Sequence, residues 1–583
     1  MEYKYVSEKN HLILLSLLKA YGIRKVIASP GATNITLVAS MQHDPFFEMY
    51  SCIDERSAAY MACGMAEQCG EPVIISCTGA TSAREYMPGL TEAFYRKLPV
   101  LAITSTQDIS KVGHLIAQVT DRSVRPRDIA VESVHLQTVK DKIDEWDCTI
   151  KINKALQALT WRGGGPVHIN LTTTYSRDYS VQSLPEVVKI ERYTFNSTLP
   201  KFPEGRIAVF VGAHARWSEY ETRVLDQFCR VHNAVVFCDQ TSNYHGKYRV
   251  NNSLVGLQTK YHSPLLDMDL LIHIGEMSGA YDAFMFRPKR IWRVALDGEM
   301  RDQFRKLTAV FDMPESYFFE NYSKGKDSDE SYYKEWKEEI TRINNLIPEL
   351  PFSNIWIAQQ ISLRIPGNSV LYLGILNSLR SWNYFETPSN IEVHSNTGGF
   401  GIDGILSTTI GSSFANKNQL HFAVVGDLSF FYDMNSLGNR HVANNVRILV
   451  INNGKGMEFR LINHNGAMFG DETDKYIAAG GHYGNQSPEV VKGWAESLGY
   501  EYLSAENKKE FIEISERFLI PTITDKPMVL EVFTSTVDET GALKLMEELI
   551  VDAKESLIHD AKDIARSVVG EKGMSTLKSF FKK

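Results

Sequence analysis

The chain of 583 residues has seven cysteines but no CxxC pair. Cys52, Cys63, Cys69, Cys77, Cys148, Cys229 and Cys238 therefore spell neither a redox dithiol nor a zinc ribbon, and buried free thiols in a reducing cytosol are the expectation. No uninterrupted apolar run approaches the roughly 18 residues that cross a bilayer. Met1-Glu2-Tyr3-Lys4 has no long apolar stretch behind it, so no secretory leader is read there and a cytoplasmic protein is expected. The formal net charge is −8, and basic residues are dispersed except at the C-terminal end, so no nucleic-acid partner is expected. A GxGxxG fingerprint is missing too. Gly212, after the apolar run Ile207 to Val211, stands alone, and a structural role outweighs a dinucleotide site there.

What the chain does have is apolar material for several cores, at 43% hydrophobic residues. Its length suggests about three or four domains. Val26 to Ala28, Val73 to Ser76, Val100 to Ile103 and Pro166 to Asn170 are strand-like runs separated by helix-length stretches, which predicts a first parallel α/β domain over 1–185. Ile207 to Gly212, Ala234 to Phe237 and Leu270 to Gly275 predict a second over 186–345, with polar Tyr322 to Glu330 as a linker candidate, and a third follows over 346–550. A C-terminal extension, 551–583, carries Leu557, Ile558, Ala561, Ile564, Ala565 and Val568 at helical spacing and ends Phe580-Phe581-Lys582-Lys583. Such a face can lie on an anionic membrane surface, although packing on its own protein is the commoner outcome.

The most specific signal is Val424-Val425-Gly426-Asp427-Leu428-Ser429 followed by Ile451-Asn452-Asn453. His421 to Val425 and Arg447 to Ile451 read as strands, and Asp433 to Asn445 between them has helical length, so a βαβ unit brings Asp427 and Asn453 to one sheet edge. A hard cation such as Mg2+ takes oxygen ligands and shares them with phosphates. Asp427 offers a carboxylate and Asn453 an amide oxygen, while the N–H groups of Leu428 and Ser429 lie where a helix start favours phosphate. A Gly-Asp turn alone is as often structural, but the Asn-Asn pair at this spacing adds a second ligand.

This pattern resembles the thiamin-diphosphate motif. Thr397-Gly398-Gly399-Phe400-Gly401-Ile402-Asp403-Gly404 and Gly426-Asp427-Leu428-Ser429-Phe430-Phe431, with Leu428 where most thiamin enzymes have glycine, look like the signatures of the menaquinone-pathway SEPHCHC synthase family. Ala28-Ser29-Pro30-Gly31 and Ile53-Asp54-Glu55-Arg56-Ser57-Ala58-Ala59-Tyr60 resemble that superfamily's pyrimidine-binding domain. The resemblance implies an α/β protein of three doubly wound parallel-sheet domains: pyrimidine-binding (1–185), central and structural (186–345), and diphosphate/Mg-binding (346–550). It also implies thiamin diphosphate and Mg2+ as cofactors, and a homodimer or homotetramer with sites at subunit interfaces.

By the same resemblance Glu55 is the catalytic carboxylate, set against N1' of the aminopyrimidine, and Ile402 is the apolar wedge that bends the cofactor. Its β-branched side chain is stiff enough for that task, and the glycines around it allow close backbone approach. The Phe400 carbonyl and Ile402 N–H would hold the pyrimidine. Asn377, Ser378, Leu428 and Ser429 would bind the cofactor, and the Lys455 backbone carbonyl would join Asp427 and Asn453 on the metal. The implied reaction is decarboxylation of a 2-oxo acid with carboligation of the enamine to a second carbonyl or enoyl acceptor. Simple decarboxylation, SEPHCHC synthesis with remodelled substrate clamps, and a cofactor-binding inactive subunit remain alternatives.

The chain departs from the family at the substrate. Family arginines that grip carboxylates are replaced by Ala32-Thr33 and Thr397, and the arginine beyond the Asn-Ser turn by Trp382. A neutral hydroxyl serves planar carboxylate recognition poorly. Gln118 stands where the family has a substrate-facing glutamine, and Arg380, Arg460, His464 and His482 are further candidates to meet an acidic substrate. For Arg460, His464 and His482 taken singly, a solvated surface is the commoner reading.

Overall fold

The computed structural model describes residues 4–551 apart from 281, 463 and 482–486. His482 and the extension from 552 onward lie outside the described residues. The described residues fold as two compact units, one of 4–192 with 300–310, the other of 193–299 with 311–551.

The first unit is built on a six-stranded sheet of Lys25–Ala28, Glu48–Ser51, Val73–Thr78, Val100–Thr106, Glu132–Leu136 and Val167–Thr172. Numbered in chain order, these lie side by side as 2-1-3-4-6-5, all parallel. Helices cover both faces of such a sheet, so its central strands are mostly apolar. Val73–Thr78 and Val100–Thr106 are buried at every position. The two strands not foreseen, Glu48–Ser51 and Glu132–Leu136, occupy the sheet edges, where half-buried polar residues leave no apolar run to read.

The second unit holds two sheets. One contains a parallel run through Arg249–Val250, Val235–Cys238, Ile207–Val211, Asp267–Ile274 and Arg287–Ala295. The other is six-stranded and parallel, from Val370–Leu373, Glu392–His394, His421–Gly426, Val446–Asn452, Glu501–Ala505 and Met528–Phe533, and it repeats the order 2-1-3-4-6-5. The α/β class with three parallel-sheet domains is therefore as expected. Buried amides tie these two sheets together: Gln240 Nε2 donates to the Phe385 carbonyl at 2.5 Å, and Asn243 Oδ1 accepts from the Val393 N–H at 2.8 Å. The polar stretch Tyr322 to Glu330 is pinned inside this unit, with Ser328 donating to the Arg230 carbonyl at 2.7 Å and Glu330 accepting from Tyr248 at 2.5 Å.

One helix is displaced from its expected place. The segment after His421–Gly426 is helical at once, over Asp427–Asp433, continues as a 3-10 turn over Met434–Gly438, and leaves 439–445 without helix. Buried Phe430 and Leu437 set this register, while Asn439 to Asn445 have only Val442 and Ala443 to bury. Six cysteines are buried and free as expected, but Cys69 is exposed. Among the described residues no helix is long and apolar enough to cross a membrane.

Candidate active site

In the C-terminal sheet the motif residues meet at the carboxyl ends of adjacent strands, with Gly426 paired opposite Ile451. Asp427 opens its helix and is only 4% exposed. Burial pushes its carboxyl up to about 7, the neighbouring Glu531 charge adds to the rise, and the N–H groups of Leu428 and Gly454 oppose it. Asn453 is buried as well, and among the described residues its Oδ1 has no hydrogen-bond partner. A buried carbonyl oxygen left without a donor costs free energy on the order of 1–3 kcal/mol, and this pair could hold a group that accepts oxygen ligands.

A shell of buried acids, unforeseen from the sequence, holds the pair in place. Glu531, within the apolar strand Met528–Phe533, accepts from Asn452 Nδ2 at 2.6 Å and from the Tyr502 hydroxyl at 2.8 Å. Burial pushes its carboxyl up to about 7. Asn452 Oδ1 in turn accepts from the Gly454 N–H at 3.1 Å, which sets the turn that presents Asn453 and the Lys455 carbonyl. Glu539 is fully buried, raised to about 7 by that burial, and accepts from Thr534 Oγ1 at 2.8 Å and from the Asn354 N–H at 3.0 Å. Asn377 also steadies its charge, so Glu539 fixes the Asn377-Ser378 turn at the end of the strand next to His421–Gly426. That turn begins at Leu376, whose φ of 68° is uncommon outside glycine. The one available signal for Glu531 was an acid inside an otherwise apolar strand. Glu539 lies on an ordinary amphipathic helix and gave none.

The Gly398 to Gly404 loop lies over the same edge. Ser429 Oγ donates to the Ile402 carbonyl at 2.5 Å, tying the half-buried Ile402 to the motif helix. Asp433 anchors the following helix, Ile405–Ala415, by accepting from the Ser407 N–H at 2.6 Å. Phe400 has a φ of 56°. Among the described residues neither its carbonyl nor the Ile402 N–H is claimed by another group. A Cβ added at Gly398, Gly399 or Gly426 would meet no protein atom within 4 Å. These glycines leave open room beside the motif.

Thiamin diphosphate with Mg2+ fits this donor set. Asp427 supplies charge, and Asn453 an oxygen without a partner. Among the described residues no three His, Cys, Asp or Glu converge on a metal position, so a cation here would rely on the amide, a backbone carbonyl and the phosphates.

The remaining candidates are placed as follows. Glu55 opens the helix Glu55–Cys69 of the first unit, capped by Asp54 Oδ1, which accepts from the N–H groups of Arg56 at 2.8 Å and Ser57 at 3.2 Å. Close packing seats this helix, for a Cβ at Gly89 would meet that of Ala59 at 2.5 Å. Glu55 is half-buried, and its charge is felt by Cys77, whose thiol burial pushes up to about 12. Gln118 is exposed with a φ of 63°. Arg380 pairs with Glu458 at 2.5 Å, Arg460 with Asp471 at 2.9 Å and Asp474 at 2.7 Å, and Lys455 Nζ with Asp474 at 2.5 Å. His464 Nδ1 accepts from the Gly466 N–H at 3.0 Å. Trp382 is fully buried and packs as core.

A family model described as the thiamine pyrophosphate enzyme, N-terminal TPP binding domain, matches residues 11–124. Over 93% of its length the chain is 30% identical to a 2-succinyl-5-enolpyruvyl-6-hydroxy-3-cyclohexene-1-carboxylate synthase of Bacteroides fragilis, covering 98% of that protein. The homologue of that name in Bacteroides thetaiotaomicron gives the same 30% identity over 93% of the chain, with 98% of the relative covered. The one in Flavobacterium psychrophilum gives 27% identity over 90% of the chain, with 95% of the relative covered.

Proposed function

The chain belongs to the thiamin-diphosphate-dependent enzymes, in the branch of the 2-succinyl-5-enolpyruvyl-6-hydroxy-3-cyclohexene-1-carboxylate (SEPHCHC) synthases, and from that premise we propose that it decarboxylates a 2-oxo acid and joins the remaining fragment to a second carbonyl or enoyl acceptor. The observation that carries this reading is the buried Asp427 carboxyl, pushed up to about 7, beside the partnerless Asn453 Oδ1. A divalent cation and a diphosphate answer both. The cofactor, when bound, supplies a nucleophilic carbon and an electron sink for loss of carbon dioxide.

The protein's own groups do the rest. Asp427, Asn453 and the Lys455 carbonyl would hold Mg2+, and the first-turn N–H groups of Leu428 and Ser429 would bind the diphosphate. Ile402 would serve as the apolar wedge under the cofactor, and the Phe400 carbonyl and Ile402 N–H would hold its pyrimidine. Glu55 would hold a proton against the pyrimidine through a charge-assisted hydrogen bond. The neutral side chains of Ala32-Thr33 and Thr397 support a substrate set other than that of the relatives named above. Incubation with thiamin diphosphate, Mg2+ and a panel of 2-oxo acids, with and without acceptors, tests the proposal by carbon dioxide release and product mass. Carbon dioxide without an adduct leaves simple decarboxylation, and cofactor binding without either product leaves an inactive subunit.

The working form in this reading is a homo-oligomer in which Glu55 of one subunit serves the Asp427 centre of another. Support comes from apolar side chains exposed near Glu55 in sequence: Ile53, Tyr60 and Met61 are 83%, 48% and 56% exposed. Mixing inactive Glu55→Gln and Asp427→Ala subunits after reversible dissociation should restore activity. A symmetric dimer gives each hybrid one intact site, and about half of a random mixture is hybrid. Inactive hybrids, with exchange verified by native mass spectrometry, would reject the shared site.

A further inference from the structure

Two of the turns assigned above to the cofactor come from strands that are not neighbours. Asn377-Ser378 follows Val370–Leu373, and Asn453 to Lys455 follow Val446–Asn452. His421–Gly426, the strand that delivers Asp427, lies between those two. Two strand spacings put the flanking strands about 10 Å apart, and the hydrogen bonds of the sheet do not join their turns directly.

A buried ion pair connects them past that central strand. Arg380, two residues beyond Ser378, donates from Nη2 to Glu458 Oε1 at 2.5 Å, and Glu458 lies three residues beyond Lys455. The two side chains are 11% and 13% exposed. At that burial water screens the attraction little, and loss of either partner strands the other charge. Among the described residues Glu458 Oε2 is buried without a donor. A buried pair with an oxygen left over adds little to stability, and its use lies in fixing which segments meet. The surrounding packing fits that use. Glu539 holds the Asn377-Ser378 turn, and its helix, Thr536–Glu547, packs beside the 3-10 turn Met457–Arg460 that carries Glu458. Other ties draw the same segment away: the Gly456 N–H donates to the Ala478 carbonyl at 2.6 Å, and Lys455 Nζ pairs with Asp474. The Glu458 carboxylate draws it back toward Asn377-Ser378. Arg380, a sequence candidate for an acidic substrate, has its charge engaged within the protein.

We propose that Arg380 and Glu458 are positioning residues, their ion pair holding the Asn377-Ser378 turn and the Asn453 to Lys455 turn at the separation that binding of the cofactor requires. Neither residue has to touch the cofactor for this. The pair acts through Ser378 on one side and the Lys455 carbonyl on the other. This rests on the thiamin-diphosphate reading above and deepens it.

Calorimetry of the full chain with thiamin diphosphate in Mg2+ gives the first reading. Arg380→Met and Glu458→Gln should each weaken binding at least about tenfold, that is about 1.4 kcal/mol. Because the pair acts as one unit, the double variant should bind within about threefold of the weaker single variant, and a loss equal to the product of the two overturns the proposal. Arg364→Gln, which breaks an exposed pair with Glu516 elsewhere in the same unit, should change affinity less than about twofold. Wild-type affinity in either single variant overturns the proposal even where the melting temperature falls, for that marks a merely structural pair. Should both fail to fold, Glu458→Asp decides: it keeps the charge and withdraws the carboxylate by one methylene, and wild-type affinity there also overturns the assignment. The second reading needs no cofactor. Amide hydrogen exchange of the chain alone should be at least about tenfold faster in Glu458→Gln than in wild type across 375–381 and 453–458, and unchanged in Val73–Thr78. Unchanged exchange in both turns overturns the proposal. Wild type that fails to bind thiamin diphosphate counts against the cofactor reading above, while exchange still judges the pair.

Discussion

The N-terminal and C-terminal sheets share one strand order, 2-1-3-4-6-5, and carry opposite chemistry at their carboxyl edges. The C-terminal edge gathers Asp427, Glu531 and Glu539, all buried and all raised to about 7. The N-terminal edge gathers Arg122 among hydroxyls, an amide and neutral imidazoles, with Glu55 at the start of a neighbouring helix. A strand order fixes where a crevice opens. The charge buried there differs: acids at one edge, a guanidinium at the other. Fold and site are separable in this way because the motif residues Asp427 and Asn453 lie just beyond the strand ends, outside the pairing that defines the sheet.

The largest effect should come from removing the charge at the acidic edge. Asp427→Ala should abolish calorimetrically detectable thiamin diphosphate binding in Mg2+, and wild-type affinity would erase the distinction between the two edges. Glu55→Gln should keep much of the cofactor affinity but slow C2 proton exchange, followed by NMR, at least about 100-fold, the low end of acid-base contributions. Exchange at the wild-type rate would remove Glu55 from the chemistry.

A smaller effect concerns pH. Glu539 is raised from 4.5 to about 7 in the folded chain. The folded state therefore holds a proton that the unfolded state has released between these values. The stability contribution is complete below the unfolded pKa and is lost as pH rises through about 7. The ligand-free chain should melt at lower temperature at pH 8 than at pH 5, and Glu539→Gln should flatten that slope; an unaltered slope would show that Glu539 is ionised throughout. The smallest effect belongs to the middle sheet. Ser218 caps the helix Glu219–His232 and forms a reciprocal pair with Glu221. Ser218→Ala should cost about 1 kcal/mol by denaturation and leave cofactor affinity unchanged, whereas a loss of affinity would give the middle sheet a part in the site.

Legibility followed burial pattern. Central strands such as Val73–Thr78 and Val446–Asn452 were readable because a sheet covered on both faces buries every position and so favours mostly apolar runs. Edge strands such as Glu48–Ser51 have half-exposed polar residues and were not. The Asp427 and Asn453 motif was readable from spacing, but the helix between them was misplaced toward Asn445, since length alone does not say which residues find a partner surface. Glu531 and Glu539 act through neighbours distant in sequence, Asn452 and Asn377, so no local pattern announces their roles.

The sequence by itself determined the class of fold, the family and the motif residues, because strand periodicity and motif spacing are properties of short segments. Tertiary structure decided which polar groups lose water together. Asp427 is an ordinary acid until burial and the Glu531 charge raise it, the turn that presents Asn453 closes on Asn452 Oδ1, and Arg122 loses water between Thr104 and Asn170. Desolvation depends on everything packed around a group, and that is assembled from the whole chain.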